Sequence, residues 1–168
     1  VVSACRRIYG ERRIGHTGTL DPAASGVLVV CVGPATRLDR FMSGHAKTYE
    51  FSIVFGAATD TDDAQGEVIQ TAEVPSQVAD SAFAAECIKG LVGKHMQVPP
   101  AYSAIKVNGK RSYAAARAGN AVQLEARPIE IFSADLISWS ADVPSGVIWQ
   151  VRMEVSGGTY VRSIARDV

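Results

Sequence analysis

Residues 147–155 have the sequence VIWQVRMEV, in which every odd-numbered position is apolar and three of the four even-numbered positions are polar. Side chains alternate between the two faces of a β-strand, so this pattern predicts a strand with one buried face. Residues 49–55, YEFSIVF, repeat the alternation with three aromatic rings and one isoleucine at the odd positions. Residues 129–139 are a third strand candidate. Together the three segments predict a β-sheet that is covered on one face.

Helix and turn signals are interleaved with these strands. Helices are predicted over residues 1–9, 35–42, 76–89, 110–118 and after 158. Shorter strands are predicted over 26–32 and 102–107, and polar loops over 15–25 and 56–66. The pair Asn108-Gly109 is typical of a hairpin turn, which joins antiparallel strands. The mixture predicts an α+β domain with a mixed, mostly antiparallel sheet flanked by helices and loops.

The composition is that of a folded globular protein. The chain has 168 residues, of which 47% are apolar and 20% are charged, whereas a disordered chain is poor in apolar residues. No window approaches the run of about 18 apolar residues that indicates a membrane-spanning helix, so no membrane partner is expected. The sequence lacks an initial Met and a signal-peptide pattern, and we interpret it as a fragment of a longer protein.

Charged residues are unevenly distributed, although seventeen basic side chains balance seventeen acidic ones. Residues 48–88 carry eight acids and no Lys or Arg, whereas residues 93–124 carry five basic side chains and no acid. A further basic group consists of Arg6, Arg7, Arg12 and Arg13. Basic segments can follow phosphates even on a neutral protein, but each single run is better explained by a solvated surface. The charge pattern alone favours a polyanionic partner only slightly.

The three cysteines, Cys5, Cys31 and Cys87, do not have the spacing of metal ligands, and their odd number argues against a disulfide framework. The three histidines form no metal-binding pattern either. Cys31 lies in an apolar run, where a small buried thiol is expected. We therefore expect no metal, no cofactor and a reducing, cytoplasmic compartment.

The loop at residues 15–22 has the sequence GHTGTLDP. Its two glycines permit unusual backbone angles, and its two threonines can brace the loop through side-chain to main-chain hydrogen bonds. Asp21 precedes a proline, which disfavours the helical conformation at that position. The pattern presents a carboxylate from a braced loop, although an Asp-Pro pair alone is more typical of a turn than of a catalytic site.

Five further segments follow this loop in a fixed order: KTYEF at 47–51, TDTDDAQG at 59–66, PPAYSAIKVNGK at 99–110, ARP at 126–128 and GGTYVR at 157–162. With the loop at 15–22, they resemble the motifs of the TruB family of RNA pseudouridine synthases, and the acidic segment resembles the family's bacterial members. The ordered set covers nearly the whole chain and is far more specific than any one motif. The resemblance implies the pseudouridine synthase fold.

The resemblance implies an enzyme, a tRNA pseudouridine synthase of the isomerase class. Its substrate would be the T-loop uridine of tRNA that is usually called position 55, which must be flipped out of its stack. The reaction breaks the N1–C1′ bond of uridine, turns the uracil and joins C5 to C1′ as a C-glycoside. Such an isomerisation needs no redox partner, energy source or metal.

By the same resemblance, Asp21 is the catalytic carboxylate, which attacks C1′ or C6 or removes a proton from the sugar; the sequence does not choose among these. Tyr160 is the candidate base at C5, or a contact that orients one. Arg162 would supply positive charge and pair with Asp21 through a charge-assisted fork. Residues two apart share a face only in an extended segment, so if Tyr160 and Arg162 both serve the site, we expect the terminal helix to begin at or after Arg162.

Three residues are candidates for substrate binding. Tyr49 would stack on the flipped uracil, although the apolar alternation also makes it a core residue. His16 would occupy the place that the flipped base leaves in the RNA stack. Lys106 is a candidate phosphate contact, and a solvated turn explains it nearly as well. The acidic loop at 60–66 repels phosphate, and we interpret it as structural.

The expected partner is the T arm of tRNA, with no protein partner required and a monomeric state. Residues 1–168 are interpreted as the catalytic domain, incomplete at both ends and without the family's C-terminal PUA-type domain. A guide-RNA-dependent relative that acts on ribosomal RNA is disfavoured by Thr17 and by the TDTDDAQG segment. An RNA-folding chaperone role stays open beside catalysis, because it leaves no mark in the sequence.

Overall fold

The computed structural model describes residues 1–103, 105–107, 109–113, 124–143 and 146–168. They form two compact units, the N-terminal unit (Val1–His45) and the C-terminal unit (Ala46–Val168). Helices and antiparallel strands are both present, and the predicted α+β class is confirmed. No helix within the described residues is long and apolar enough to cross a membrane.

The N-terminal unit contains short helices and one strand pair. Its elements are α1 (Val2–Tyr9), β1 (Ile14–His16), β2 (Val30–Val32), a 3-10 helix (Gly33–Leu38) and α2 (Asp39–Met42). Helix α1 ends at Gly10, whose φ of 61° lies in the left-handed region that glycine adopts without strain. Strand β1 pairs antiparallel with β2. The helices predicted at 1–9 and 35–42 are therefore confirmed, the second as two consecutive short pieces.

The apolar run at 26–32 was predicted to be a buried strand, and this prediction is wrong for most of its length. Only Val30–Val32 is strand, and the side chain of Val27 is 93% exposed. Strand β2 pairs with β1 at three positions only, and the preceding apolar residues have no strand partner among the described residues. Gly15 and His16, predicted as loop, belong to β1. Cys31 is buried as expected.

The C-terminal unit is built on a four-stranded antiparallel sheet. Its elements are β3 (Lys47–Val54), β4 (Ala57–Thr59), β5 (Val68–Thr71), a 3-10 helix (Ser76–Ala79), α3 (Ser81–Gly90), β6 (Gly93–Gln97), β7 (Lys106–Val107), β8 (Lys110–Arg111), β9 (Arg127–Val143), β10 (Gly146–Val155) and α4 (Val161–Asp167). The strand order in the main sheet is β3-β10-β9-β6, and every neighbouring pair is antiparallel. The strands predicted around residues 49–55, 129–139 and 147–155 are its three adjacent members.

One face of this sheet forms the hydrophobic core of the C-terminal unit. All five odd-numbered residues of β10 are buried, as the alternation predicts. Helix α3 covers them with Ala84 and Ile88, which are fully buried. The indole N–H of Trp149 donates a hydrogen bond to the carbonyl oxygen of Val78 (3.0 Å), so the most voluminous buried side chain leaves no unpaired polar atom.

The helix predicted over 76–89 is interrupted at Asp80. A 3-10 helix precedes it and α3 follows it, while Asp80 itself has an extended backbone. Its carboxylate accepts a hydrogen bond from the backbone N–H of Phe83 (2.8 Å), which is the geometry of a helix N-cap. The prediction missed the break because the apolar spacing continues across it.

The predictions for residues 102–118 are partly wrong where the structure describes them, although Ser112 and Tyr113 are helical as predicted. Of the strand predicted over 102–107, only Lys106–Val107 is strand. The helix predicted from Lys110 begins as β8, whose Lys110 pairs with Val107. That register fits a two-residue turn, but Asn108 lies outside the described residues, as do 114–118. Strands β4, β5 and β6 were not predicted, and β5 is exposed at all four positions, so it has no alternating pattern.

Candidate active site

Asp21 lies in the loop that joins β1 to β2 in the N-terminal unit. Its carbonyl oxygen accepts a hydrogen bond from the backbone N–H of Ala24 (2.9 Å), which closes a turn around Pro22. The backbone N–H of Thr17 donates to the carbonyl oxygen of Val29 (3.1 Å), so the two ends of the loop are tied together. The half-buried Asp21 is thus both a turn residue and a carboxylate on a closed loop. His16, at the end of β1, is exposed.

Tyr160 lies at the N-cap of α4, in the C-terminal unit. Its φ of −102° and ψ of 111° are extended, and its carbonyl oxygen accepts from the backbone N–H of Ile164 (3.2 Å). The helix begins at Val161, one residue before the earliest start that was expected. The expectation was wrong because the first intrahelical bond forms at the carbonyl of Tyr160, which places Arg162 in the first turn.

The guanidinium of Arg162 is held by the acidic loop and by the segment after β6. Its two terminal nitrogens donate to the carbonyl oxygens of Thr61 (2.9 Å) and Tyr102 (3.2 Å). The carboxylate of Asp63 lies 3.7 Å from Nη1, and the side chain of Arg162 is 13% exposed. A cation in the first turn of a helix opposes the helix dipole, and burial adds a desolvation cost. The oxygens around Arg162 offset both costs.

The acidic loop at 60–66 is tied by its own hydrogen bonds. The Asp63 carboxylate accepts from the hydroxyl of Thr61 (2.7 Å) and from the backbone N–H of Gln65 (2.9 Å). The Asp60 carboxylate accepts from the backbone N–H of Glu67 (2.9 Å). The carboxylates of Asp60 and Asp63 therefore stabilise the loop. This agrees with the interpretation of the segment as structural.

Asp62 connects the same loop to the last turn of α4. Its carboxylate accepts from the guanidinium of Arg166 (3.1 Å), one turn beyond Arg162. Burial raises the pKa of the Asp62 carboxyl above its ordinary value, although Arg166 and, more weakly, Arg162 act in the opposite direction. The loop therefore contacts two arginines on one face of the helix.

Gln97 at the end of β6 is a buried residue that the sequence analysis did not single out. Its Oε1 accepts from the backbone N–H of Tyr160 (2.9 Å), and its Nε2 donates to the carbonyl oxygen of the same residue (3.0 Å). The residue is 4% exposed. No spacing pattern marks it in the sequence, because a polar residue at the end of a strand is ordinary.

Tyr49 lies on β3, opposite Met153 of β10. It is half-buried and packs against the core cluster. The core interpretation of Tyr49 is therefore confirmed, and the stacking role stays a prediction. The backbone of Lys106 is part of β7, opposite Arg111, and the side chain of Lys106 lies outside the described part of the structure.

The structure divides the predicted site residues between the two units. Asp21 and His16 belong to the N-terminal unit, whereas Tyr49, Lys106, Tyr160 and Arg162 belong to the C-terminal unit. The proposed pair of Asp21 with Arg162 stays a prediction. Among the described residues, no group of three or more His, Cys, Asp or Glu side chains is arranged to hold a metal ion.

Known proteins match the chain over almost all of its length. Residues 6–161 match the model of the TruB family pseudouridylate synthase N-terminal domain. The tRNA pseudouridine synthase B of Nocardia farcinica is 46% identical over 168 residues, which are 100% of this chain and 54% of that protein. That of Thermobifida fusca is 44% identical over 171 residues, which are 100% of this chain and 58% of that protein. The chain spans a little more than half the length of these relatives.

Solved structures share the fold at lower sequence identity. A crystal structure of a Cbf5-Nop10-Gar1 complex matches with a TM-score of 0.62 and 23% identity, over 99% of this chain and 38% of that one. At this identity the likeness concerns the fold alone, and it agrees with the pseudouridine synthase fold expected from the motifs. Since the family model covers residues 6–161, the chain belongs to the TruB family of pseudouridylate synthases.

Proposed function

We propose that the protein containing this chain converts uridine to pseudouridine in tRNA, at the T-loop position usually called 55. The observation that carries the proposal is the family match over residues 6–161, which includes the loop of Asp21, the strand of Tyr49 and Tyr160. Relatives that are 44% and 46% identical over the whole chain are named tRNA pseudouridine synthase B. The T loop and the mechanism are the finer part of the proposal and rest on the motifs.

In the proposed reaction, Asp21 is the carboxylate that acts on the flipped uridine. It attacks C1′ or C6, or it removes a sugar proton, and the N1–C1′ bond breaks. The uracil then turns, C5 bonds to C1′, and the C5 proton is lost while N1 gains one. The turn closed by the Asp21 carbonyl supports this role, because a carboxylate on a closed loop loses less freedom when it binds substrate.

Tyr160 and Arg162 act on the uracil side of the reaction. Tyr160 takes the C5 proton or orients the group that does so, and Arg162 supplies positive charge and pairs with Asp21. The contacts of Arg162 with two carbonyl oxygens and with Asp63 support this role, since they keep a costly cation in the first turn of α4.

Tyr49, His16 and Lys106 bind the RNA in this proposal. Tyr49 is half-buried against the core, and the part of its ring that is not packed there stacks on the flipped uracil. The exposed imidazole of His16 fills the gap left by the flipped base. Lys106 contacts phosphate, which adds affinity that weakens with salt.

The test measures tritium release from C5-labelled uridine in a T-arm stem-loop, with the intact protein and its Asp21→Asn variant. Asp21→Asn keeps the shape of the side chain and removes its charge, so we expect release to vanish while RNA binding persists. The matched control is Asp135→Asn, an exposed aspartate on β9, which leaves release unchanged. A stem-loop with uridine at T-loop positions other than 55 checks the position.

The outcomes separate the parts of the proposal. Equal release by the wild type and Asp21→Asn would remove Asp21 from its role. Absence of release by the wild type, with RNA binding retained, would contradict the activity and favour the RNA chaperone or a guide-dependent target.

A further inference from the structure

We propose that Gln97 is a positioning residue for the reaction: its carboxamide fixes the main chain of Tyr160 and thereby the direction in which the phenol enters the site. This inference rests on the proposed function, because it concerns how Tyr160 performs its role there. Gln97 touches no substrate in the proposal and acts only through Tyr160.

The geometry is a two-point clamp on one residue. Gln97 Oε1 accepts the Tyr160 N–H at 2.9 Å, and Gln97 Nε2 donates to the Tyr160 carbonyl at 3.0 Å. The same carbonyl accepts the first intrahelical bond of α4, from Ile164. With both main-chain polar groups of Tyr160 engaged, a change in its φ or ψ would break a part-buried hydrogen bond. A fixed backbone restricts the directions available to the side chain.

The carboxamide of Gln97 matches what this position requires. The clamp needs one acceptor and one donor on a single planar group, and a neutral Gln or Asn supplies both. Asn is one methylene shorter and would not reach from the end of β6. A methionine has similar length and fits the buried site, but it offers neither bond.

Separate contacts hold the rest of α4 against the same segment. The hydroxyl of Ser163 donates to the carbonyl oxygen of Val98 (3.1 Å), and Arg166 donates to that same oxygen (2.8 Å). Arg162 is held by Thr61, Tyr102 and Asp63, none of which contacts the clamp. Loss of the Gln97 clamp therefore leaves the helix docked and Arg162 in place, and frees only the residue before the helix.

The experiment compares Gln97→Met with Gln150→Met in the intact protein. Gln150 is the matched control, because it lies in the same sheet as Gln97 and its Nε2 also donates a hydrogen bond. The acceptor is the hydroxyl of Ser52 (2.7 Å), so this bond does not involve Tyr160. Tritium release from a T-arm stem-loop gives kcat and KM, and thermal unfolding gives the folded fraction at the assay temperature. Each substitution is also made in a Tyr160→Phe background, which completes a double-mutant cycle.

We expect Gln97→Met to lower kcat about tenfold to a hundredfold, the range that small misplacements of reacting groups produce. KM should stay within about twofold of the wild type, the protein should remain folded, and Gln150→Met should change neither constant. In the Tyr160→Phe background, Gln97→Met should have no further effect on kcat, because the phenol it positions is gone.

Three results would overturn the inference: an unchanged kcat, a loss of kcat that tracks the unfolded fraction, or an equal loss with and without the Tyr160 hydroxyl. The last two would make Gln97 a residue of stability alone. Failure of the wild type to release tritium is a different result, since it removes the proposed reaction itself and this inference with it.

Discussion

The two units of the molecule carry the predicted site residues in different ways. The N-terminal unit has six basic and three acidic residues, a strand pair three residues long, and Asp21 on a loop. The C-terminal unit has eleven basic and fourteen acidic residues and a four-stranded sheet, and side-chain contacts hold Tyr160 and Arg162 on it. The opposite charge balance of the units cancels in the whole chain, which is why net charge conceals it.

The predicted site residues of the two units are held by two different kinds of contact. Main-chain hydrogen bonds close the loop of Asp21, and Asp21→Asn leaves them in place, so this substitution should change activity more than stability. Arg162 and Tyr160 are held by residues distant in sequence, from Gln97 to Asp63. Substitutions among these residues should therefore act on the reaction through the positions of Tyr160 and Arg162. The predictions below test whether the stability of the molecule is divided in this way.

The largest expected effect is the loss of Trp149 from the core of the C-terminal unit. Its ring contacts Phe55 edge-on at a centroid distance of 4.5 Å and Phe83 at 6.5 Å. Trp149→Ala leaves a cavity and removes the hydrogen bond to the Val78 carbonyl, so the free energy of unfolding should fall by about 3–5 kcal/mol. Urea unfolding monitored by circular dichroism measures it.

Trp139 is the matched control, because it lies opposite Trp149 in the β9–β10 register and is 41% exposed. Trp139→Ala should cost much less, since less apolar area leaves contact with the protein. Equal losses for the two tryptophans would show that burial in this sheet does not set its stability.

The strands around Trp149 are the part of the fold that the sequence predicts best. In β3 and β10 the alternation of side chains and the burial pattern agree residue by residue, because both strands have long partners and one covered face. The same rules fail for β5, which is exposed throughout, and for the break at Asp80, where a single capping carboxylate outweighs the apolar spacing. Periodicity therefore predicts elements that bury a face and misses elements fixed by local hydrogen bonds.

The site shows the same limit. The motifs predict Asp21, Tyr49, Tyr160 and Arg162 as site residues, but only the structure shows which motifs are in contact with one another. Gln97, at the end of β6, bonds to Tyr160 at the N-cap of α4. Asp63, in the acidic loop, lies beside Arg162 in the first turn of α4. Such contacts depend on how the strands are ordered, and a sequence without its topology does not show which elements meet.

A smaller effect is expected at Asp62, which links the acidic loop to Arg166. Burial raises the pKa of Asp62 in the folded state above that in the unfolded chain. The folded state therefore binds the proton more tightly, and the stability this provides is present below the unfolded pKa and is lost as pH rises through the folded pKa. Asp62→Asn removes the titrating carboxyl group. Asparagine tolerates the positive φ of 58° at this position, so the substitution adds no backbone strain.

The measurement is the free energy of unfolding of the wild type minus that of Asp62→Asn, followed from about pH 3.5 to pH 7, which spans the ordinary pKa of aspartate. We expect this difference to decrease as pH rises. Glu86→Gln, on the exposed side of α3, controls for the loss of one negative charge and should show no such decrease. A difference that increases with pH would mean that Arg166 stabilises the carboxylate by more than burial destabilises it.

The smallest effect is expected in the N-terminal unit, at Val27. This side chain lies in an apolar run but is 93% exposed, so Val27→Ser should change the free energy of unfolding by no more than about 0.5 kcal/mol. The same substitution at Val147, which is 7% exposed in β10, removes buried apolar area and places a hydroxyl in the core, and it should cost about 2 kcal/mol or more. Urea titrations of the two variants measure the free energy of unfolding after the same Val→Ser substitution in each unit. A loss at Val27 as large as that at Val147 would show that the apolar run contributes to a core after all, and the contrast between the units would not hold.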